Sequence, residues 1–337
     1  MKAGSSSFLF SCLVVFLFSG CADPIPEFTE ENALSHRVSG ERAFQHVKAL
    51  VGFGPRPAGS ENLERSRVYI QEQLAAAGWE IRRQSFSKKT PEGEIEFVNL
   101  RARFGAGRWG DPVDGILCSH YDTKLFESFE FLGANDAGSS TGVLIELAGV
   151  LSEKPWLAKR LELVFFDGEE AFGTNITSKD GLYGSRYYAA EITLTKPETR
   201  PKWGVLLDMV GDRDLKIRAA VQVPGASLRE MADSGGSGYR VDIALVKQQL
   251  QGISRDLIAS AEDLGVRKHV GISPDYIIDD HIPLIVTAGI PTIDLIDFDY
   301  DYWHTPGDSL EQVSAESLEI SGRVTMQLVE KYLIRKE

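Results

Sequence analysis

Two rhythms of apolar and polar positions run through the chain, one of helical period and one of strand period. Residues 41–51 read as a short helix. A turn-rich stretch follows, Gly52-Phe53-Gly54-Pro55-Arg56-Pro57-Ala58-Gly59. Ser60 then serves as the N-cap of a helix that runs to about residue 77 and is stopped by Gly78. Strand patterns come next at 79–86 and 96–104, with Thr90-Pro91-Glu92-Gly93 as the turn between them. After that the two rhythms alternate. Apolar runs at 115–118, 161–166, 203–209 and 291–296 read as buried strands. Residues 138–151 read as a helix with Val143, Leu144, Leu147, Ala148 and Leu151 on one apolar face. Residues 181–190 and 314–333 read as further helices. Such alternation predicts an α/β fold: a single-domain three-layer sandwich, with a mostly parallel twisted central sheet, helices on both faces and an antiparallel edge hairpin at 79–104.

The first residues break both rhythms. Lys2 is their only charge, and residues 8–18 are almost wholly apolar yet too short to span a bilayer comfortably. This run ends in Phe18-Ser19-Gly20-Cys21, where small residues before a cysteine resemble a bacterial lipoprotein signal. Residues 1–21 are therefore expected to be a cleaved signal with a lipid anchor at Cys21; the plainer alternative is a secretory signal cleaved nearby. Either way the chain is expected to be exported, on the periplasmic side of the envelope. Residues 22–40, polar with two prolines and several acids, read as a tether, and 41–337 as one catalytic domain.

Composition narrows the partners. With 337 residues, 43% of them hydrophobic, the chain can bury one large core. Its net charge of -13 argues against nucleic acid and against anionic membrane surfaces, so membrane contact is expected only through the lipid anchor. Of three cysteines, Cys12 lies in the leader and Cys21 at its cleavage point, which leaves Cys118 alone in an apolar run, expected buried and with no disulfide partner.

The chemistry gathers around Glu169 and Glu170, neighbours after the strand-like run 161–166. Consecutive residues at a strand end point in different directions, so one carboxylate can hold a cation while the other moves protons. Two adjacent carboxylates repel unless a cation keeps both ionised. Other candidates are His120 in Ser-His-Tyr-Asp, Asp136 in Ala-Asn-Asp-Ala-Gly, Asp208 in Leu-Leu-Asp-Met and His304 in Trp-His-Thr-Pro-Gly-Asp. Each alone has a plain explanation, as a surface ion pair, a solvated face or a helix cap. Together, these ligand types beside predicted strand ends point to a metal site, since open α/β sheets bind ligands beyond the carboxyl ends of their strands. Asp136, Glu170 and His304 make a three-ligand zinc set with an open position. His120 and Asp208 would hold a second ion, with Asp136 bridging. Glu169 is left as general base, and Asp122 is placed to orient His120. Gly181-Leu182-Tyr183-Gly184-Ser185 is read as a turn into a helix.

In their order, these motifs resemble the M28 zinc peptidase family from about Arg42 onward. Within it the chain is most similar to the glutaminyl cyclases, through 119–124 (Ser-His-Tyr-Asp-Thr-Lys), 165–172, 182–186 and Asp279-Asp280-His281-Ile282-Pro283. The resemblance implies one Zn2+ on Asp136, Glu170 and His304. It implies Glu169 as proton shuttle, linked to Asp208 and Asp279 by acidic hydrogen bonds, and Trp303 as a wall of the substrate pocket. His281 is assigned to core packing. The implied substrates are peptide or protein N-termini. Glu169 would take a proton from the α-amine of an N-terminal glutamine; the amine would close on the γ-carbonyl, and Glu169 would return the proton to departing ammonia, with Asp279 stabilising the charge that develops. The departures concern the pocket wall: 173–177 reads Gly-Thr-Asn-Ile-Thr where animal glutaminyl cyclases carry a tryptophan, and 298–302 replaces their phenylalanine stretch. The main rival is a two-zinc aminopeptidase, because all five dinuclear ligands are present. A non-catalytic binding ectodomain is the more distant rival.

Overall fold

The structure is a computed structural model that describes Met1 and residues 26–223 and 240–334. Cys21 and the leader lie outside the described residues. The strands are β1 (Trp79–Thr90), β2 (Gly93–Phe104), β3 (Gly115–His120), β4 (Leu161–Phe166), β5 (Trp203–Asp208), β6 (Ile217–Ala220), β7 (Val270–Ile272) and β8 (Thr292–Ile296). They form one sheet in the order β1-β2-β4-β3-β5-β8-β6-β7. The four central strands, β4, β3, β5 and β8, are parallel. The expected hairpin, β1 with β2, lies at one edge, turning at Thr90–Gly93 and joined antiparallel to β4. The other edge carries a feature the sequence reading lacked: β6 runs antiparallel to β8 and parallel to β7.

Helices cover both faces, and the strand period shows how. Leu117 of β3, Leu163 and Phe165 of β4, and Val205 and Leu207 of β5 enter the large core. That core is closed by α1 (Gly40–Gly52), α2 (Glu61–Ala76), α3 (Gly138–Leu151), the single turn α4 (Pro155–Ala158), α6 (Ile243–Asp263) and α8 (Ala315–Gln327). Their alternates Ile116, Cys118, Val164, Phe166 and Leu206 face a smaller core, under α5 (Tyr183–Thr193) and the segment Leu284–Ala288. Cys118 is buried there, as its apolar run implies. Ser60 caps α2, its hydroxyl accepting from the Leu63 N–H, and Ser39 caps α1 in the same way from Arg42.

Two expectations are corrected. The apolar face expected of α3 is buried, but burial is not confined to that face; apart from Gly149 the helix is buried all round, because it lies between β3 and β5 on one side and α1 and α8 on the other. The tether assigned to 22–40 does not extend to its end. Ala33, Leu34, Ser35 and Val38 are buried, the Leu34 N–H donates to Glu330, and the Ser35 hydroxyl donates to Gln327. Their apolar side chains complete the core between α1 and α8, and burial outweighs the polar look of the segment. Among the described residues no helix is long and apolar enough to cross a membrane.

Candidate metal centre and active site

At the carboxyl ends of the central strands lies a cavity of about 780 Å³. His120 closes β3, Asp208 closes β5, and Glu169 and Glu170 follow β4 by one tight turn. Gly168 makes that turn at φ 69, where a Cβ would fall 2.4 Å from the Phe97 ring. Asp136 is displaced from the expected strand end; it sits at the entry to α3, on a loop held close by Gly133 at φ 53. His304 lies in the loop beyond β8, and Asp279 just before the short turn α7 (His281–Pro283).

These placements make two donor triangles that share Asp136. His304 Nε2 is 3.2 Å from Glu170 Oε1 and 3.4 Å from Asp136 Oδ2. His120 Nε2 is 3.3 Å from Asp136 Oδ1 and 3.2 Å from Asp208 Oδ1. Donors held ~2.0–2.1 Å from a tetrahedral ion lie ~3.3–3.4 Å from one another, so the two edges that meet at each histidine have the right length for zinc, and the third lies within 4.8 Å. The two oxygens of Asp136 face different histidines, which is the geometry of a bridging carboxylate. Glu169 lines the same cavity and belongs to neither triangle.

Burial sets the electrostatics. It pushes the Glu169 carboxyl well above the usual carboxylate range, with Glu170 and Asp279 adding repulsion. Asp279 and Asp294 are raised well above it too, each by burial and then by acidic neighbours, and Asp280 to about 7. Burial also raises Asp208. Asp136 goes the other way: hydrogen bonds from His120 and His304 outweigh burial and hold its carboxyl low. The same carboxylates overcome burial at His304, whose pKa rises to about 9, and at His120, which rises well above the ordinary value.

A supporting layer fixes these groups. Asp122 approaches His120 Nδ1 at 3.5 Å, an ion-pair distance rather than a hydrogen bond, and Nδ1 has no hydrogen-bond partner among the described residues. Its stronger work is on the double glutamate: its two oxygens accept the N–H groups of Glu169 (3.2 Å) and Glu170 (3.3 Å). Asp308, the last residue of Trp-His-Thr-Pro-Gly-Asp, accepts from the N–H groups of Asn135 and Asp136 and from the Tyr300 hydroxyl. Arg56 is buried and donates to the carbonyls of Leu132 (2.9 Å) and Gly133 (3.0 Å), in the loop that leads to Asp136. Lys124 is buried, donates to the Ala171 carbonyl and lies 3.5 Å from Glu170. None of these supporting roles was assigned from the sequence, except that of Asp122 toward His120. Asp308 carried a signal, since it ends the motif; Arg56 carried only its place in a Gly-Pro turn.

Strain is concentrated at the same place. Three non-glycine residues among those described adopt left-handed backbone: His304 (φ 54), Met209 (φ 46) directly after Asp208, and Leu182 (φ 54), whose N–H donates to the Glu169 carbonyl. Each such residue costs roughly 1–3 kcal/mol and persists only where its surroundings impose it. The turn reading of 181–185 thus describes the backbone, with a link to the double glutamate added. His281 packs in the core as assigned, fully buried, with neither ring nitrogen hydrogen-bonded.

The pocket wall is aromatic. Trp303 stacks on His304 with ring centroids 4.2 Å apart, and Phe298 lies 4.9 Å from Trp303. Phe126 and Phe131 meet the other side of His304 edge-on. Thr174, Asn175 and Ile176 line the cavity where animal glutaminyl cyclases carry a tryptophan.

Known proteins agree with this architecture. Residues 112–329 match peptidase family M28. The glutaminyl-peptide cyclotransferase of Drosophila melanogaster is 30% identical over 297 residues, covering 84% of this chain and 77% of that one. The enzyme of the same name from Dictyostelium discoideum is 26% identical over 327 residues, covering 87% and 85%. Among solved structures, an Acidobacteriales bacterium glutaminyl cyclase superposes with a TM-score of 0.71 at 27% identity, covering 88% of this chain and 96% of its own. The chain belongs to peptidase family M28, in its glutaminyl cyclase branch.

Proposed function

We propose that this chain is a zinc-dependent glutaminyl-peptide cyclotransferase, an acyltransferase that converts the N-terminal glutamine of peptides to pyroglutamate and releases ammonia. The observation that carries the reading is the position of Glu169, which borders the cavity beside Asp136, Glu170 and His304 while standing outside their donor triangle. Zinc bound by those three residues supplies Lewis acidity toward an amide carbonyl. Glu169, whose proton affinity burial raises, is a base strong enough in its ionised form to accept the α-amine proton, and returns it to the leaving ammonia. Asp279 and Asp208, on the same cavity wall, share the proton load with it, so the acids titrate as a group. Trp303 and Phe298 exclude water and hold the glutamine side chain folded toward its own amine, which supplies the proximity term of an intramolecular closure.

A second reading, a two-zinc aminopeptidase, is favoured by one observation: the triangle of His120, Asp136 and Asp208 is intact. Mass spectrometry of a Gln-initiated peptide, with and without chelator, separates the two. Loss of ammonia at unchanged peptide length, abolished by chelation, supports the cyclase; a peptide shorter by its first residue overturns it. We also read the chain as exported and lipid-anchored at Cys21, on the strength of Phe18-Ser19-Gly20-Cys21. An unmodified Cys21 in the membrane-extracted protein would refute the anchor.

A further inference from the structure

The catalytic floor of the cavity is acidic, but one wall away from it carries an arginine. Arg218, on β6, lines the cavity together with Ile296 and Phe298. It pairs across the sheet with Ile296 of β8 and, on its other side, with Gly271 of β7. Gly271 is what lets the side chain lie down: a Cβ there would sit 3.1 Å from Arg218 Cδ and 3.3 Å from NH1. Among the described residues the guanidinium makes one hydrogen bond, NH1 donating to the Ile217 carbonyl at 2.9 Å. Among the described residues no carboxylate stands in ion-pair reach of it, although Asp275 and Asp299 line the same cavity. In a chain of net charge -13, a half-buried arginine inside the cavity with no carboxylate partner among the described residues is conspicuous.

We infer that Arg218 is a specificity residue that receives a substrate carboxylate downstream of the N-terminal glutamine. This inference rests on the cyclase reading. The cavity is large enough to take more than one residue, being in the size range of sites that enclose whole drug-sized ligands, ~300–1,000 Å³. Guanidinium donors fork to match a carboxylate, and such charge-assisted bonds are stronger than neutral ones. The carboxylate has two sources, an acidic side chain at position 2 or 3, or the free C-terminus of a short peptide.

The test is ammonia release from matched peptides by the mature zinc-loaded protein. Gln-Glu-Ala-amide and Gln-Ala-Glu-amide are compared with their Gln-for-Glu counterparts, and Gln-Ala-Ala acid with its amide. At least one carboxylate peptide is expected to exceed its neutral counterpart in kcat/KM by roughly five- to tenfold. Which pair shows the difference names the source. The ratio should fall to near one in Arg218→Ala and below one in Arg218→Glu. Ratios near one in the unaltered protein, or a preference that survives both variants, would overturn the inference. Turnover of every peptide without charge preference would leave the cyclase reading standing; no ammonia from any peptide would remove that reading and this inference with it.

Discussion

Glu169 and Glu170 are adjacent in sequence yet separated in role by the turn at Gly168, which aims Glu170 at His304 and leaves Glu169 outside the donor set. That division predicts opposite phenotypes. Glu169→Gln should lower turnover by roughly 10²–10⁴, the usual share of a general acid–base, while zinc stays bound. Metal analysis beside the ammonia assay checks this; a variant that loses zinc would make Glu169 a ligand. His304→Ala should weaken zinc by more than the ~10–100-fold typical of an outer-shell change, and retained stoichiometric zinc would refute its role. Both residues were legible in the sequence because residue type and motif order point to them. The resemblance marked 298–302 as a departure in the pocket wall, but that Phe298 supplies its ring was not legible, since the loop shows no period and only folding brings that ring against Trp303.

At the scale of elements, legibility followed burial on both faces. β3, β4, β5 and β8 read as mainly apolar runs, broken by Glu162 in β4 and Asp294 in β8, because both sides of the sheet are covered. β6 and β7, of four and three residues, are too short for a period to declare itself. α6 was missed despite a real signal: Val246, Leu250, Ile253, Leu257 and Ala261 are buried at helical spacing behind an Asp242 cap. The loop that delivers Asp136 has no periodic signal at all; its shape is imposed from outside by Arg56 and Asp308. Arg56 donates to four carbonyls, those of Leu50, Gly54, Leu132 and Gly133. Arg56→Met keeps most of the volume and strands those acceptors, each worth roughly 1–3 kcal/mol when buried unpaired. Urea unfolding is expected to show a loss of about 3 kcal/mol or more, with weaker zinc binding. A change below about 1 kcal/mol would mean that the loop holds its own shape.

Over the whole molecule the acids act as one buried charge system that something must neutralise. Without metal, protons do it: Glu169, Asp279 and Asp294 are held well above the carboxylate range by burial, Asp280 at about 7, and His304 is raised to about 9 by Asp136 and Glu170. In every one of these groups the folded state holds its proton more tightly than the unfolded chain does. Their stabilising contribution is therefore complete at low pH and lost as pH rises through the folded values. Two histidines oppose this trend, half-buried His46 lowered to about 4 by desolvation and the Arg42 charge, and buried His281 lowered to about 3 by desolvation. Their effect is confined to pH below about 6.5, where the unfolded imidazoles gain protons that the folded ones refuse. The interval from 6.5 to 9 thus leaves these histidines out; besides the site and its supporting Asp308, raised to about 7, it takes in Asp167, raised to about 7 by burial despite the neighbouring Arg67, whose proton loss has the same sign. Metal-free protein should lose stability across it, by up to ~1.4 kcal/mol per pH unit for each proton released. Zinc should reverse the slope, because it competes with the same protons and binds better as they leave. Urea midpoints at pH 6.5, 7.5 and 8.5, with chelator and with zinc, measure both slopes. A chelated protein that gains stability over this interval would show that the acids are already ionised without the metal, and that the fold, not a cation, carries their charge.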